Sequence, residues 1–100
     1  MNYQFELYFA LSNAYELLND KKNNLLYAKE LNEICKKFPA KNFRKIIGLI
    51  CLADAMYANN QQNEAVILMK QAVELAKKQN QSTKSIKRIQ LHLQELIKKK

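Results

Sequence analysis

The sequence predicts an all-α domain, and three observations carry that reading. One Gly and one Pro among 100 residues leave too few punctuating residues for a sheet protein built on tight turns. Apolar residues recur at intervals of three and four through five segments. The breaks between those segments fall at Asn, Asp, Ser and the single Pro, which favour turns and caps. At 11.7 kDa and 48% apolar, the chain is long enough for one core and short for two.

Helices are expected at about 3–18, 23–38, 41–58, 63–78 and 83–98, in one domain covering 1–100. In the first, Tyr3, Leu7, Tyr8, Leu11, Ala14, Tyr15 and Leu18 share a stripe, ending at Asn19-Asp20. After the polar stretch Lys21 to Asn24, the second carries Tyr27, Ala28, Leu31, Ile34, Cys35 and Phe38, and Pro39 stops it. The third carries Phe43, Ile46, Ile47, Leu49, Ile50, Leu52, Ala53, Met56 and Tyr57, apolar around most of its circumference, so it needs cover on two sides. Asn59 to Gln62 is a polar connection in which an Asn takes a positive φ or caps the next helix. The fourth helix places Ala65, Leu68, Met69, Ala72, Val73, Leu75 and Ala76 on one face. Ser82 then caps a fifth that carries Ile86, Ile89, Leu93, Leu96 and Ile97. Short connections make neighbouring helices antiparallel. A middle helix greasier than the end helices suits a stack of hairpins, with a closed bundle as the rival arrangement.

Shifted by about 40, the chain aligns with itself: Leu11-Ser-Asn-Ala-Tyr on Leu52-Ala-Asp-Ala-Met, and Tyr27-Ala-Lys-Glu-Leu on Glu64-Ala-Val-Ile-Leu. The stretch from Leu49 to Ala76 resembles a tetratricopeptide repeat. Ala53, Ala65 and Ala72 stand in the family's small slots, Met56 and Met69 in its aromatic slots, and Leu49 and Leu52 in its large apolar slots. The unit from Leu11 to Pro39 matches less closely: Ser12 and Ala28 fill small slots and Tyr15 an aromatic one, Cys35 replaces an Ala, and its inner loop needs about four extra residues. Asn60 stands where the family usually turns on Gly. The resemblance implies a right-handed superhelix of about two repeats plus a capping helix. A period near 40 is similar to the scaffolds of bacterial peptide-sensing regulators and spindle-orientation adaptors. An array of two repeats falls short of the roughly three usual for stability, which suggests a piece of a longer protein. The rival closed bundle is of the kind in microtubule-interacting and transport domains, whose helix pair resembles Asn63 to Lys100.

The resemblance also implies a concave face formed by the first helix of each repeat. Its residues here would be Phe9, Asn13 and Glu16, then Ile47, Ile50, Asp54 and Tyr57, then Arg88 and Leu91: an apolar floor with acids at one end. Phe9 occupies a position where the family's carboxylate clamp for chaperone tails needs Lys, so that ligand is not expected. The expected function is a protein-interaction scaffold, holding a peptide, a partner helix or a second copy of the chain. The alternatives are the sensing domain of a bacterial transcription regulator and a nucleic-acid-associated protein.

The net charge of +8 bears on the last of these. Residues 1–60 hold eight bases and six acids, and the remaining forty hold nine and three. The C-terminal cluster, Lys77, Lys78, Lys84, Lys87, Arg88 and Lys98 to Lys100, would draw phosphates through a field that salt screens. Fifteen of the seventeen bases are Lys, whereas groove readers lean on Arg forks, so nucleic acid ranks below protein.

Catalysis and cofactors find no footing in the inventory. Gly48 stands alone inside a helix, which excludes a Gly-rich phosphate loop, and neither Cys35 nor Cys51 has a His nearby in sequence. His92 lacks ligand-spaced companions, so no metal is expected. Glu30 and Glu33 lie among Lys29, Lys36 and Lys37 as a solvated face would. Neither a bilayer-spanning run nor a secretion signal is present, and the expected location is the cytoplasm.

Overall fold

The computed structural model describes residues 2–98, with side chains from Tyr3 onward; Lys99 and Lys100 of the basic cluster lie outside the described residues. Five helices follow in order: α1 (Asn2–Leu17), α2 (Lys21–Cys35), α3 (Arg44–Ala58), α4 (Gln62–Lys78) and α5 (Thr83–Lys98), with no strand among the described residues. Each helix packs chiefly on its neighbour in sequence, so α3 is covered by α2 on one side and α4 on the other. The result is a flattened body of 37 × 34 × 18 Å.

Three helices end alike. Asn19, Asn60 and Asn80 take φ of 58, 65 and 56°, the left-handed region that Asn enters more cheaply than other side chains. Each time the next amide returns to the helix: Asp20 N–H to Tyr15 O (2.9 Å), Gln61 to Met56 (2.8 Å) and Gln81 to Ala76 (3.0 Å). Each Asn amide itself bonds a carbonyl three residues back. These are Schellman endings with Asn in glycine's usual place.

Side-chain caps set two starts. The Asp20 carboxylate accepts from the Asn23 amide (3.2 Å), so α2 begins at Lys21 and the expected polar linker is its first turn. Ser82 Oγ accepts from the Ser85 amide (3.1 Å), as anticipated for α5. The α2–α3 link is longer than expected. After Cys35 the amides of Lys37 and Phe38 reach back only three residues, Pro39 prevents continuation, and Asn42 Oδ1 receives the Arg44 amide (2.9 Å). Residues 36–38 and 41–43 therefore leave the helices in which the periodicity placed them. Gln79 pins this link to the α4–α5 turn, donating to Ala40 O (2.9 Å) and Asn42 O (3.0 Å).

The core is a chain of small clusters between successive helices. Ala53, Ala65 and Met69 are fully buried with Leu96. Ala28, Leu52 and Ala55 join α2 to α3, and Ile46, Ala72 and Ala76 join α3 to α4. Gly48 marks the closest approach. A Cβ there would lie 2.8 Å from Cys35 Cβ and 2.9 Å from Cys35 Sγ, so α2 and α3 meet at a distance that only Gly allows.

The expected stripe of α1 holds only in part: Tyr8, Leu11 and Tyr15 are half-buried, with Tyr8 packed on the Phe5, Leu31 and Cys35 cluster. Phe5 and Ser12 are buried, whereas Tyr3, Leu7, Ala14 and Leu18 are exposed. Apolar residues surround most of α1, and periodicity alone cannot say which face meets α2. The contact chosen is polar at its centre: the Asn24 side chain, buried, donates to Ser12 O (2.8 Å) and Ser12 Oγ (3.3 Å).

Candidate partner-binding groove

Between α3 and α5 runs a groove of about 350 Å³ lined by Phe43, Ile46, Ile47, Ile50, Gln81, Ser85, Arg88 and Ile89. Helical spacing explains its floor. Ile46 and Ile50 lie one turn apart on α3, and Ile89 lies one turn from Ser85 on α5, so three branched side chains converge where the helices separate. Ile46 is buried, Ile47, Ile50 and Ile89 are half-buried, and Phe43 stands 51% exposed at the lip. Arg88 is exposed and is the one ionisable residue in the lining.

Of the nine residues singled out in the sequence, the groove gathers Ile47, Ile50 and Arg88. Asp54 and Tyr57 lie further along α3, Tyr57 packed at the Ala53–Met69 cluster. Phe9 stacks on Phe5 with ring centroids 5.5 Å apart and, with Ile47 and Cys51, packs against the buried cluster of Phe5, Leu31 and Cys35. Leu91, 60% exposed, Asn13 and Glu16 lie outside the lining. A larger depression of about 530 Å³ runs along α4, lined by Leu49, Ile67, Lys70, Gln71, Glu74, Leu75 and Lys78. None of the expected residues lies there.

Asp54 does have a partner that sequence reasoning missed. Its carboxylate oxygen stands 2.6 Å from His92 Nε2, tying α3 to α5 across 38 residues. Both residues are half-buried.

Asp54 and Glu16 both lie near the Cys51 thiol. Burial pushes the Cys51 thiol up to about 12, and the nearby charges of Asp54, the Cys35 sulfur and Glu16 push the same way. Burial likewise raises Cys35 to about 11, against a smaller opposing pull from the Gly48 amide, Lys45 and Arg44. Both thiols stay protonated near neutrality, as buried packing thiols do. Among the described residues no group of three or more His, Cys, Asp or Glu could hold a metal ion.

Arg44 is the second residue that the sequence reading left unassigned. Its guanidinium lies 5.2 Å from the Phe5 and Phe43 ring centroids and 5.4 Å from that of Phe38. Three rings from α1, the α2–α3 link and the start of α3 thus close on one cation. Of the two arginines, one is therefore structural and the other stands at the groove. No helix among the described residues is long and apolar enough to cross a membrane.

Compared with known proteins, the chain matches no family model, no curated protein and no solved structure.

Proposed function

We propose that the chain is a protein-interaction module with a tetratricopeptide-like stacking of hairpins, holding an amphipathic partner helix or peptide in the α3–α5 groove. One observation carries this reading: an apolar floor of Ile46, Ile50 and Ile89, flanked by exposed Phe43 from the α3 side and exposed Arg88 from α5. Two apolar side chains one turn apart on a partner would seat on that floor, each contributing about 1.5–3 kcal/mol when fully buried. Arg88 would take a carboxylate at the rim and fix orientation more than affinity. The stacking is supported by fully buried Ala53, Ala65 and Ala72 at the helix contacts, which allow close interaxial approach.

The test is selection of helical peptides on the folded protein, followed by NMR mapping of the best binder. Shifts confined to Ile47, Ile50, Ser85, Arg88 and Ile89, and lost in Ser85→Arg, are the expected result. Shifts centred on the α4 depression, or no binding up to millimolar peptide, overturn it.

A second reading draws on the exposed face of α5, where Lys84, Lys87, Arg88 and Lys98 surround a single acid, Glu95. Such a face supports weak duplex binding that falls steeply with salt. Absence of any DNA binding at low salt removes it.

A further inference from the structure

Helix α1 carries apolar side chains on two faces, and the protein covers one of them. Phe5 and Ser12 turn inward, while Tyr3 is 72% exposed, Leu7 50% and Leu17 88%, with Ala10 and Ala14 exposed between them. Positions 3, 7, 10, 14 and 17 advance by alternate steps of four and three, the spacing of a coiled-coil seam over two heptads. No charged residue falls on that line.

The internal repeat shows what such a face receives. A shift of 41 carries Leu7, Ala10, Leu11 and Ala14 onto Gly48, Cys51, Leu52 and Ala55. Gly48, Leu52 and Ala55 meet α2 through Cys35 and Ala28. The same face is sealed by α2 in the second hairpin and, at Leu7, Ala10 and Ala14, bare in the first.

We propose that α1 is a homodimer interface, in which the α1 helices of two copies pair antiparallel along Tyr3, Leu7, Ala10, Ala14 and Leu17. A second copy is favoured over another occupant on three grounds. Of the nine exposed large apolar side chains among the described residues, Tyr3, Leu7, Leu17 and Leu18 lie on or just after α1, so the matching apolar surface is α1 itself. The free face of α5 sets Lys84, Lys87, Arg88 and Lys98 around Leu91 and Ile97, and four cations make it a poorer cover for an uncharged stripe than a second α1. Asn2–Leu17 contains no base, so pairing through α1 keeps the cationic helices of two +8 chains apart. The antiparallel sense sets Tyr3 and Leu7 opposite Ala14 and Ala10, large against small, leaves Leu17 at each outer end of the seam beyond the partner helix's first residue, and opposes the helix dipoles.

Size predicts the strength. A 16-residue helix is about 24 Å long, and its stripe exposes on the order of 400 Å² per copy, half the roughly 800 Å² of a standard interface. The dimer is weak, with a Kd between about 10 µM and 1 mM.

Sedimentation velocity on the full chain from about 10 µM to 1 mM, at low salt and in about 1 M salt, tests this. The expected result is concentration-dependent dimerisation that high salt does not weaken, and at least tenfold weaker association in Leu7→Glu/Leu17→Glu and in Ala10→Arg, with unchanged helical circular dichroism. Arg88→Glu, on the α3–α5 groove, leaves the dimer intact, so the two surfaces stand or fall separately. A wild-type chain that stays monomeric at the highest concentration overturns the interface. So does dimerisation that survives both α1 variants, or one that salt dissolves.

Discussion

The two hairpins, α1–α2 and α3–α4, share one backbone plan and fill it with different chemistry. A shift of 41 superposes Asn19 on Asn60, both at positive φ, and the start of α2 at Lys21 on that of α4 at Gln62. At the helix contact the first hairpin pairs Ser12 with Asn24 through hydrogen bonds, where the second has fully buried Ala53 and Ala65. Tyr27 contacts both Tyr8 and Tyr15 in the first, with Tyr15 and Tyr27 stacked at 5.5 Å. Their counterparts are Leu49, Met56 and Leu68. Hairpin geometry thus depends on side-chain size and on loop turns, and tolerates a change from aliphatic to aromatic or hydrogen-bonded filling.

The sharpest way to break the comparison is at Met69, fully buried in the second hairpin, whose counterpart in the first is Ala28. Met69→Ala is expected to cost about 2–5 kcal/mol in denaturant unfolding, because the surrounding alanines cannot collapse into the space. A cost below about 1 kcal/mol would show a second hairpin as adaptable as Met-rich cores can be.

The next effect sits where the hairpins join. Cys35 on α2 and Cys51 on α3 are raised from 9.0 to about 11 and about 12. At pH 8 the thiolate fraction of Cys35 is about 100-fold below that of a free thiol, so alkylation should be slower by at least that factor. The sign of the pH dependence follows. Above pH 9 the unfolded chain loses thiol protons that the folded chain retains, so stability is fully present below 9 and is lost as pH rises through 11 and 12. Urea midpoints that fall between pH 9 and 12 in the wild type, and fall less in Cys51→Ala, are the expected readout.

A matched pair of substitutions then separates covered from bare faces. Gly48→Ala gains about 1 kcal/mol of helix propensity but forces a Cβ to within 2.8 Å of Cys35 Cβ. Cys35 Cβ is anchored to its backbone and cannot swing aside, and overpacking of this kind costs about 1–3 kcal/mol. The net expectation is destabilisation of up to about 2 kcal/mol. Its counterpart, exposed Leu7→Ala, should shift monomer stability by less than about 0.5 kcal/mol. Equal effects would mean that α1 is covered as α3 is.

Much of this was legible in the sequence, and the misses have physical causes. Five helices follow from periodicity, and the Ala-rich contact of Ala53 and Ala65 follows from residue size. The core face of α1 did not, because Tyr3, Leu7 and Ala14 are as apolar as Phe5 and Phe9, and the contact that orients the helix is a hydrogen bond between Ser12 and Asn24. The four extra residues expected in the first loop came from aligning Ala28 with Ala65. Asn24 is the true counterpart, and a buried polar residue does not look like an alanine slot. At the groove, Ile47, Ile50 and Arg88 follow from the repeat, whereas the Asp54–His92 contact needs the crossing of α3 and α5, which sequence spacing alone does not fix.

The smallest effect belongs to the shared turn. Asn19 and Asn60 adopt φ of 58 and 65° in a chain whose one Gly is Gly48, so Asn supplies the left-handed residue at both loops. Asn carries a modest strain there that Gly lacks, while Gly leaves more entropy in the unfolded chain. Asn60→Gly is therefore expected to stabilise by only a few tenths of a kcal/mol, and Asn60→Ala to destabilise by about 1 kcal/mol. Asn19 should repeat both signs. If Asn19→Ala proves neutral while Asn60→Ala does not, the first loop relaxes into another turn, and the two hairpins share a plan in the second loop's terms alone.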